Sequence, residues 1–507
     1  MSLRSLFLAA GAVISLAASA FSADKPNILF IMADDLGYAE LGCYGQGKIR
    51  TPHIDALAAE GMRFTRNYCG NAVCAPSRCV LMTGKHPGHA EVRNNRSMIP
   101  LGEPEGQHPL PAEEVTIAEV LKQEGYVTGA FGKWGLGNVW STGNPTKQGF
   151  DRFFGYNCQS HAHSYYTDYL WSDNDKVSLD NNPPVPGHAS LPEGADPNDP
   201  HSYDSFKGTD YAPDQINQAV LNFIRQHKDE PFFCYYPTII PHVALHVPDE
   251  DLKPYLEEKW HDPPFTRTKG GYTPHFTPRA AYAAMISRMD SNVGRVLDLL
   301  DELELTENTI VVFTSDNGTT HLGDEVDYVF FDSVGPLRGL KGSLYEGGVR
   351  VPLIVRWPGK VEAGSVSDFI TGFEDWMPTL AELTGATGDL PEGLDGISLV
   401  PTLMGQEQPD REFLYREFGG YGGQQAVWLG DRWKGIRQDL LPRGKKSPAD
   451  IAVKTELYDL QNDVSESKDV AAENPEILAK IEKLMKTERV PSETFAIPVL
   501  DKDSTAK

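Results

Sequence analysis

The chain has 507 residues and a formal net charge of −25 at pH 7. That acidic balance excludes nucleic acid as a partner, because phosphate binding needs a basic footprint, and an anionic substrate has to be drawn in by a local positive pocket against the field of the whole molecule. With 40% apolar and 10% aromatic residues the chain can fill a sizeable core, and its length predicts two domains, one of them large.

In chain order, the first segment has Arg4, an apolar run from Leu6 to Ala18, and small residues at Ala18 and Ala20. This reads as a signal peptide over residues 1–20, too short in its apolar part to span a membrane. The protein is therefore expected to be periplasmic or secreted, with no membrane partner. Short apolar runs that stop abruptly predict buried strands: "NILFIMA" (27–33) ending at Asp34-Asp35, "YVTGAF" ending at Gly132-Lys133, "PFFCYYPTII" ending at Pro241-His242, and "NTIVVFTS" (308–315) ending at Asp316-Asn317. A further run, "RVPLIVRWPG", begins just after Lys341 and Glu346.

Helical periodicity lies between these runs, at 53–61, 116–125, 214–227 and 280–303. The second of these opens on a Thr-x-x-Glu capping box and stops at Gly125. Strands alternating with helices predict an α/β fold, a large and mostly parallel covered sheet domain over 21–407. Lys176 to Tyr211 is rich in Pro, Asn, Asp, Gly and Ser and reads as a long surface loop. After about 408, short runs such as "EFLYREF", "QQAVWLG" and "TELYDL" predict antiparallel strands, closed by a helix over 473–488. This makes a smaller C-terminal α+β domain over 408–495, followed by a polar tail over 496–507.

In parallel sheets, ligands gather beyond the carboxyl ends of the strands, and that is where the charged residues stand. Either acidic terminus alone makes turns or caps. Together, Asp34, Asp35, Asp316 and Asn317 offer three carboxylates and an amide carbonyl, hard oxygen donors suited to calcium or magnesium. No Cys/His zinc spacing is present.

"CAPSRCVLMTGK" (74–85) places Pro76 in the first turn of a helix that Gly84 stops, so Cys74 stands at a helix N-terminus, a position that favours an anion and lowers a thiol pKa. The six cysteines (43, 69, 74, 79, 158 and 234) do not make a disulfide scaffold in a chain of this size. "GKHPGHAEVRNNR" (84–96) supplies a basic cluster of Lys85, His86, His89, Arg93 and Arg96. "HSYYTDYLW" (163–171) is aromatic enough to be either a sugar-stacking platform or a packed strand.

The string Cys-x-Pro-Ser-Arg followed by Thr83-Gly84-Lys85 resembles the signature of the type I, formylglycine-dependent sulfatases, arylsulfatase-like enzymes of the alkaline phosphatase superfamily. The resemblance runs on in order through Asp34-Asp35, "GKWGLG" (132–137), "PH" at 241–242, "SDNG" (315–318) and "GLKGSLYEGGVRVP" (339–352). It implies that a maturation enzyme converts Cys74 to Cα-formylglycine, and that Asp34, Asp35, Asp316 and Asn317 hold one calcium ion together with residue 74. The hydrated aldehyde is a geminal diol, of which one hydroxyl attacks sulfur and the other later expels sulfate. By the same resemblance Arg78 steadies the diol, Lys133 and Lys341 hold the sulfate oxygens, and His242 protonates the departing alcohol.

One position departs from the pattern. The family commonly reads Gly-Lys-Trp-His-Leu-Gly, with its histidine beside the diol, and here that position is Gly135. His161, His163 and His321 are the candidates for proton transfer or substrate contact, with His89 and Arg93 as further candidate substrate residues. Arg416, Glu417 and Gln425 could reach the same pocket from the C-terminal domain.

The expected function is exo-hydrolysis of a sulfate ester on a sulfated carbohydrate or small sulfate ester. The rivals are a phosphate- or phosphonate-ester hydrolase of the same superfamily, a non-catalytic glycan-binding relative, and a thiol enzyme using Cys74. The last lacks a Cys-x-x-Cys partner.

Overall fold

The structure is a computed structural model that describes residues 25–266, 271–386, 388, 390–442, 447 and 451–501. The signal-peptide reading of residues 1–20 lies outside the described residues, as does the tail beyond 501.

The large sheet is built from β1 (Asn27–Ala33), β2 (Met62–Tyr68), β3 (Val127–Lys133), β4 (Arg152–Tyr156), β5 (Tyr169–Ser172), β6 (Asp175–Ser178), β7 (Phe232–Pro237), β8 (Thr309–Ser315), β9 (Arg350–Arg356), β10 (Ser365–Ser367) and β11 (Thr371–Gly372). Their order is β10-β2-β9-β8-β1-β7-β3-β4-β5-β6, with β11 beside β2. The centre, β8-β1-β7-β3-β4, is parallel throughout.

Both faces of this centre are covered, which is why its strands read as unbroken apolar runs. Along β1, Ile28, Phe30 and Met32 enter one core cluster while Leu29, Ile31 and Ala33 enter the other, as the two-residue period of a strand requires. The predicted helices form at Pro52–Glu60, Ile117–Gln123, Ala212–Gln226 and Pro278–Glu302. The capping box at Thr116 is present, its hydroxyl accepting from Glu119 N at 3.2 Å and Glu119 Oε2 accepting from Thr116 N at 2.8 Å.

One strand runs against the rule. β9 is antiparallel to both β8 and β2, so its N-terminal end lies at the carboxyl edge of β8. Lys341, upstream of β9, therefore joins the same edge as Asp34 and Asp316 from the opposite chain direction.

The small sheet comprises β12 (Phe413–Phe418), β13 (Gln424–Leu429), β14 (Trp433–Arg437) and β15 (Thr455–Asp459), antiparallel in that order. One of its faces, with Leu414, Phe418, Ala426, Trp428 and Ile436, is continuous with the main core. The other, with Tyr415, Val427 and Leu457, closes on Ile481 and Met485 of the helix Pro475–Thr487. The polar tail reading needs correction up to residue 501, because Ile497 is buried, Pro498–Asp501 is helical, and Asp501 pairs with Arg489 at 2.8 Å. In the aromatic stretch, Tyr165, Tyr166, Leu170 and Trp171 are all core residues, so packing is what most of it does.

Candidate active site

The helix Cys74–Thr83 starts at Cys74 and ends against Gly84, whose φ of +68° lets its N–H reach Val80 O at 2.9 Å. Its first residue is 1% exposed and points at the carboxyl edge of the sheet. Cys74 Sγ lies 3.3 Å from Asp34 Oδ1, 3.5 Å from Lys133 Nζ and 3.6 Å from Lys341 Nζ. One turn on, Arg78 donates from Nη2 to Asp316 Oδ2 at 2.7 Å, approaches Asp34 Oδ2 at 3.4 Å, and caps the Lys133 carbonyl.

The sheet brings the acidic pairs together directly. Ala33 and Ser315 are register partners of β1 and β8, so the residues that follow them meet, with Asp316 N donating to Ala33 O at 3.0 Å and Asp35 N to Asp316 Oδ1 at 3.2 Å. Asp35 holds φ at +68°, a left-handed conformation that Asp tolerates. Asn317 Nδ2 donates to Asp35 Oδ1 at 2.8 Å. Lys133 Nζ reaches Asp34 Oδ2 at 2.6 Å, and Lys341 Nζ spans both Asp35 oxygens at 2.6 and 2.8 Å.

Electrostatics follow from burial and these pairs. Burial would push the Asp34 carboxyl up, yet Lys133, His242, Arg78 and Lys341 hold it well below the usual range. Burial and Asp34 raise Asp316 to about 6. Burial and the Asp34 carboxylate push the Cys74 thiol far up, so the lowering expected of a helix N-terminus is overridden. A neutral, enclosed thiol is a poor nucleophile, which removes support from thiol chemistry at Cys74.

His242 sits in a turn after β7, held by Tyr165, whose hydroxyl bonds Ile239 O at 2.7 Å and His242 O at 2.6 Å. Its Nδ1 bonds the Val243 carbonyl, and its Nε2 lies 3.7 Å from Asp35 Oδ2. His163 stacks on His242 with ring centroids 5.1 Å apart, and its Nδ1 bonds His188 Nε2 at 2.9 Å. His188 comes from the long loop after Lys176, and Tyr272 rests against all three rings. His321, exposed at the rim, meets the Tyr421 ring edge-on at 5.1 Å.

The other candidates lie in different company. His89 Nδ1 is bonded to Asp395 at 2.9 Å, and Arg93 is buried against Glu417 at 2.8 Å and the Val490 carbonyl. His161 bonds Thr167 Oγ1 at 2.7 Å and stands 3.5 Å from Glu105. Arg416 is locked to Glu374, Glu417 to Arg93 and Arg489, and Gln425 to Tyr415. The structure thus gathers Asp34, Asp35, Cys74, Arg78, Lys133, His163, His242, Asp316, Asn317 and Lys341; it engages Arg93, Arg416 and Glu417 where the C-terminal segment meets the large sheet domain, His89 with Asp395, and Gln425 with Tyr415 and the Met485 carbonyl inside the C-terminal segment. Sequence reading missed His188, Tyr272 and Tyr421, which sit in loops without a motif.

The donor set fits a hard cation. Asp34, Asp35, Cys74 and His242 present ligand atoms within 4.8 Å of one another. Asn317 Oδ1 is buried with no hydrogen-bond partner, a carbonyl oxygen left over in a chamber of carboxylates. Three carboxylates (Asp34, Asp35, Asp316) balance three cations (Arg78, Lys133, Lys341), so a dication there would make the chamber net positive inside an acidic protein.

The sulfatase family model matches residues 26–386, and the model of the N-sulphoglucosamine sulphohydrolase C-terminal region matches 340–491. An N-acetylgalactosamine-6-O-sulfatase of Bacteroides thetaiotaomicron is 31% identical over 92% of this chain and 93% of its own length. Human arylsulfatase A is 35% identical over 80% of this chain and 72% of its own. Among solved structures, Ps i-CgsB in complex with k-i-k-neocarrahexaose superposes with a TM-score of 0.71 at 27% identity, covering 92% of this chain and 94% of that one. Fold and site define a hydrolase of sulfuric esters. The chain belongs to the sulfatase family.

Proposed function

We propose that this sulfatase depends on calcium and on formylglycine made from Cys74, and that it removes a sulfate ester from the exposed end of a sulfated carbohydrate. The observation that carries the reading is the placement of Cys74 Sγ within 3.3–3.6 Å of Asp34, Lys133 and Lys341 in one buried chamber. The two lysines would favour a thiolate, but burial and Asp34 outweigh them and keep the thiol neutral, whereas an oxygen nucleophile facing a sulfate group uses both kinds of neighbour.

Asp34, Asp35, Asp316 and Asn317 would hold the calcium ion, which supplies Lewis-acid polarisation. Formylglycine would supply, as its hydrate, one hydroxyl to attack sulfur and a second whose deprotonation releases sulfate. Arg78, fixed by Asp316, orients residue 74. Lys133 and Lys341 offer their ammonium groups to the sulfate oxygens, where charge develops. His242 Nδ1 is committed to the Val243 carbonyl, so Nε2 is the atom that faces the leaving alcohol. Burial and the two lysines push its pKa down, and a bound sulfate anion favours the protonated form that a general acid requires.

The acidic surface disfavours a long polyanion, and the relatives named for N-acetylgalactosamine 6-sulfate in B. thetaiotaomicron and Homo sapiens make that sugar the first substrate to try. Export to the periplasm or exterior belongs to the same reading, as does a formylglycine-generating partner; among the described residues no helix is long and apolar enough to cross a membrane.

The test is the peptide mass across Cys74 in protein from its native cell, together with turnover of the sulfate and phosphate esters of one alcohol. An aldehyde and a preference for sulfate are expected. An intact cysteine in native material would move the protein to the glycan-binding reading, and a preference for phosphate would move it to the phosphate- or phosphonate-ester hydrolases.

A further inference from the structure

Gly135 leaves a gap in the wall of the chamber, and the structure shows what fills it. A Cβ built on Gly135 would stand 2.2 Å from Gln159 Nε2 and 3.8 Å from Arg78 Cδ. The Gln159 amide therefore occupies the space into which a side chain at 135 would project, beside the arginine that follows Cys74 by one helical turn. Gln159 is 9% exposed, and both its side-chain atoms, Nε2 and Oε1, are buried without a hydrogen-bond partner. Its backbone N–H is directed to Gln107 Oε1 at 3.3 Å, and the Gly135 N–H is directed to Asn157 O at 3.0 Å, so the two segments are clamped side by side.

An unsatisfied buried amide is costly. Two such atoms at the edge of a reaction chamber point to a polar ligand that comes and goes. The φ of +80° at Gly135 adds a backbone reason for glycine there, and with glycine the amide has room.

We propose that Gln159 hydrogen-bonds the sulfate group at residue 74 through its side-chain amide, taking the space of the missing side chain at position 135. This rests on the sulfatase reading above. An amide has no ionisation in the working range, so the contact is a fixed donor that holds the group and leaves proton transfer to others.

The variants Gln159→Leu, Gln159→Glu and Gly135→Ala test it, on enzyme whose residue 74 is shown by mass to be converted. Gln159→Leu keeps the volume and removes the hydrogen bonds; kcat should fall roughly 10–100-fold, and inhibition by inorganic sulfate should weaken in parallel. Gln159→Glu sets a carboxylate against the anion and should be worse than Gln159→Leu. Gly135→Ala should push the amide aside and lower kcat with the identity of residue 159 unchanged.

Parental activity with unchanged kcat and unchanged sulfate inhibition in Gln159→Leu would overturn the proposal. So would equal losses in Gln159→Leu and Gln159→Glu with sulfate inhibition unmoved, since a merely structural role predicts that pattern. A parent that turns over no sulfate ester despite conversion would instead count against the sulfatase reading, so the two failures are told apart.

Discussion

Two buried ion clusters in this molecule look alike by charge and differ in what they leave open. In the seam between the large sheet domain and the small sheet, Glu346 is fully buried; its Oε1 accepts from Trp428 Nε1 at 2.9 Å and Lys434 Nζ at 3.0 Å, and its Oε2 from Tyr68 Oη at 2.7 Å. Lys434 also meets Glu466 at 2.7 Å. In the reaction chamber, Asp34, Asp35 and Asp316 are as deeply buried and as strongly paired, yet Asn317 Oδ1 and both amide atoms of Gln159 have no partner. Shifted carboxyls occur in both places, so a perturbed pKa alone does not mark the site. Position does: the unpaired Asn317 Oδ1 lies just beyond the carboxyl end of a parallel strand, among the groups that surround Cys74.

The largest expected effect breaks the chamber while sparing the seam. Cys74→Ala should abolish turnover, a loss of at least about five orders of magnitude if the nucleophile is formed there, with thermal stability changed only modestly because the substitution removes a single buried side-chain heavy atom. Measurable sulfatase activity in that variant, free of parental enzyme, would contradict the chemistry. Calcium removal by a chelator should come next. Activity should vanish and return with added calcium, and the melting temperature should rise with calcium concentration as binding to the folded state requires. A melting temperature indifferent to calcium would deny the ion its site. Lys133→Ala should cost kcat roughly 100- to 1,000-fold per folded molecule, as loss of one preorganised charge at a reacting oxyanion does, together with some stability, because it takes one cation from buried Asp34; a change in KM alone would reassign it to ground-state binding.

Why the chamber was readable in advance and its lining was not has a physical cause. Asp34 and Asp316 follow strands directly, Lys133 ends a strand and His242 stands in the turn after one, and the end of a parallel strand is a place that order along the chain already locates. Cys74 and Arg78 share one face of a helix whose stop, Gly84, is visible as a residue. Gln159, His188 and Tyr272 stand on loops, and their arrival beside Gly135 and His242 depends on how those loops close over the sheet edge. The departure at Gly135 announced a vacancy but carried no information on which distant side chain would fill it. The helix-terminal argument for an acidic Cys74 thiol failed for a related reason: sequence shows the helix, and only packing shows burial beside Asp34. His89 and Arg93 read as an anion-attracting patch because their partners, Asp395 and Glu417, lie more than three hundred residues away.

The seam supplies the contrasting perturbation. Lys434→Met should leave Glu346 and Glu466 buried without their cation, destabilising the protein by about 3–5 kcal/mol, while the folded fraction keeps its kcat. Denaturant unfolding beside turnover per folded molecule measures both. A fall in kcat without a fall in stability would mean that the seam reaches the chamber and that the two clusters are not separable.

The smallest effect concerns Glu40, beneath the chamber floor. It is fully buried, accepts from Tyr282 Oη at 2.8 Å and Thr319 Oγ1 at 3.1 Å, and also takes the Gly37 N–H. Burial outweighs these bonds and raises its pKa from 4.5 to about 7. The folded state thus holds a proton that the unfolded chain has released between those values. Stability from this group is fully present below about pH 4.5 and is lost as pH rises through about 7, by at most about 3 kcal/mol. Glu40→Gln cannot titrate, so its stability difference between pH 5 and pH 8 should be smaller than the parent's by up to that amount, whatever its absolute stability. Equal differences in the two proteins would show that Glu40 is ionised in the fold, and the floor of the chamber would then carry one more negative charge than its packing implies.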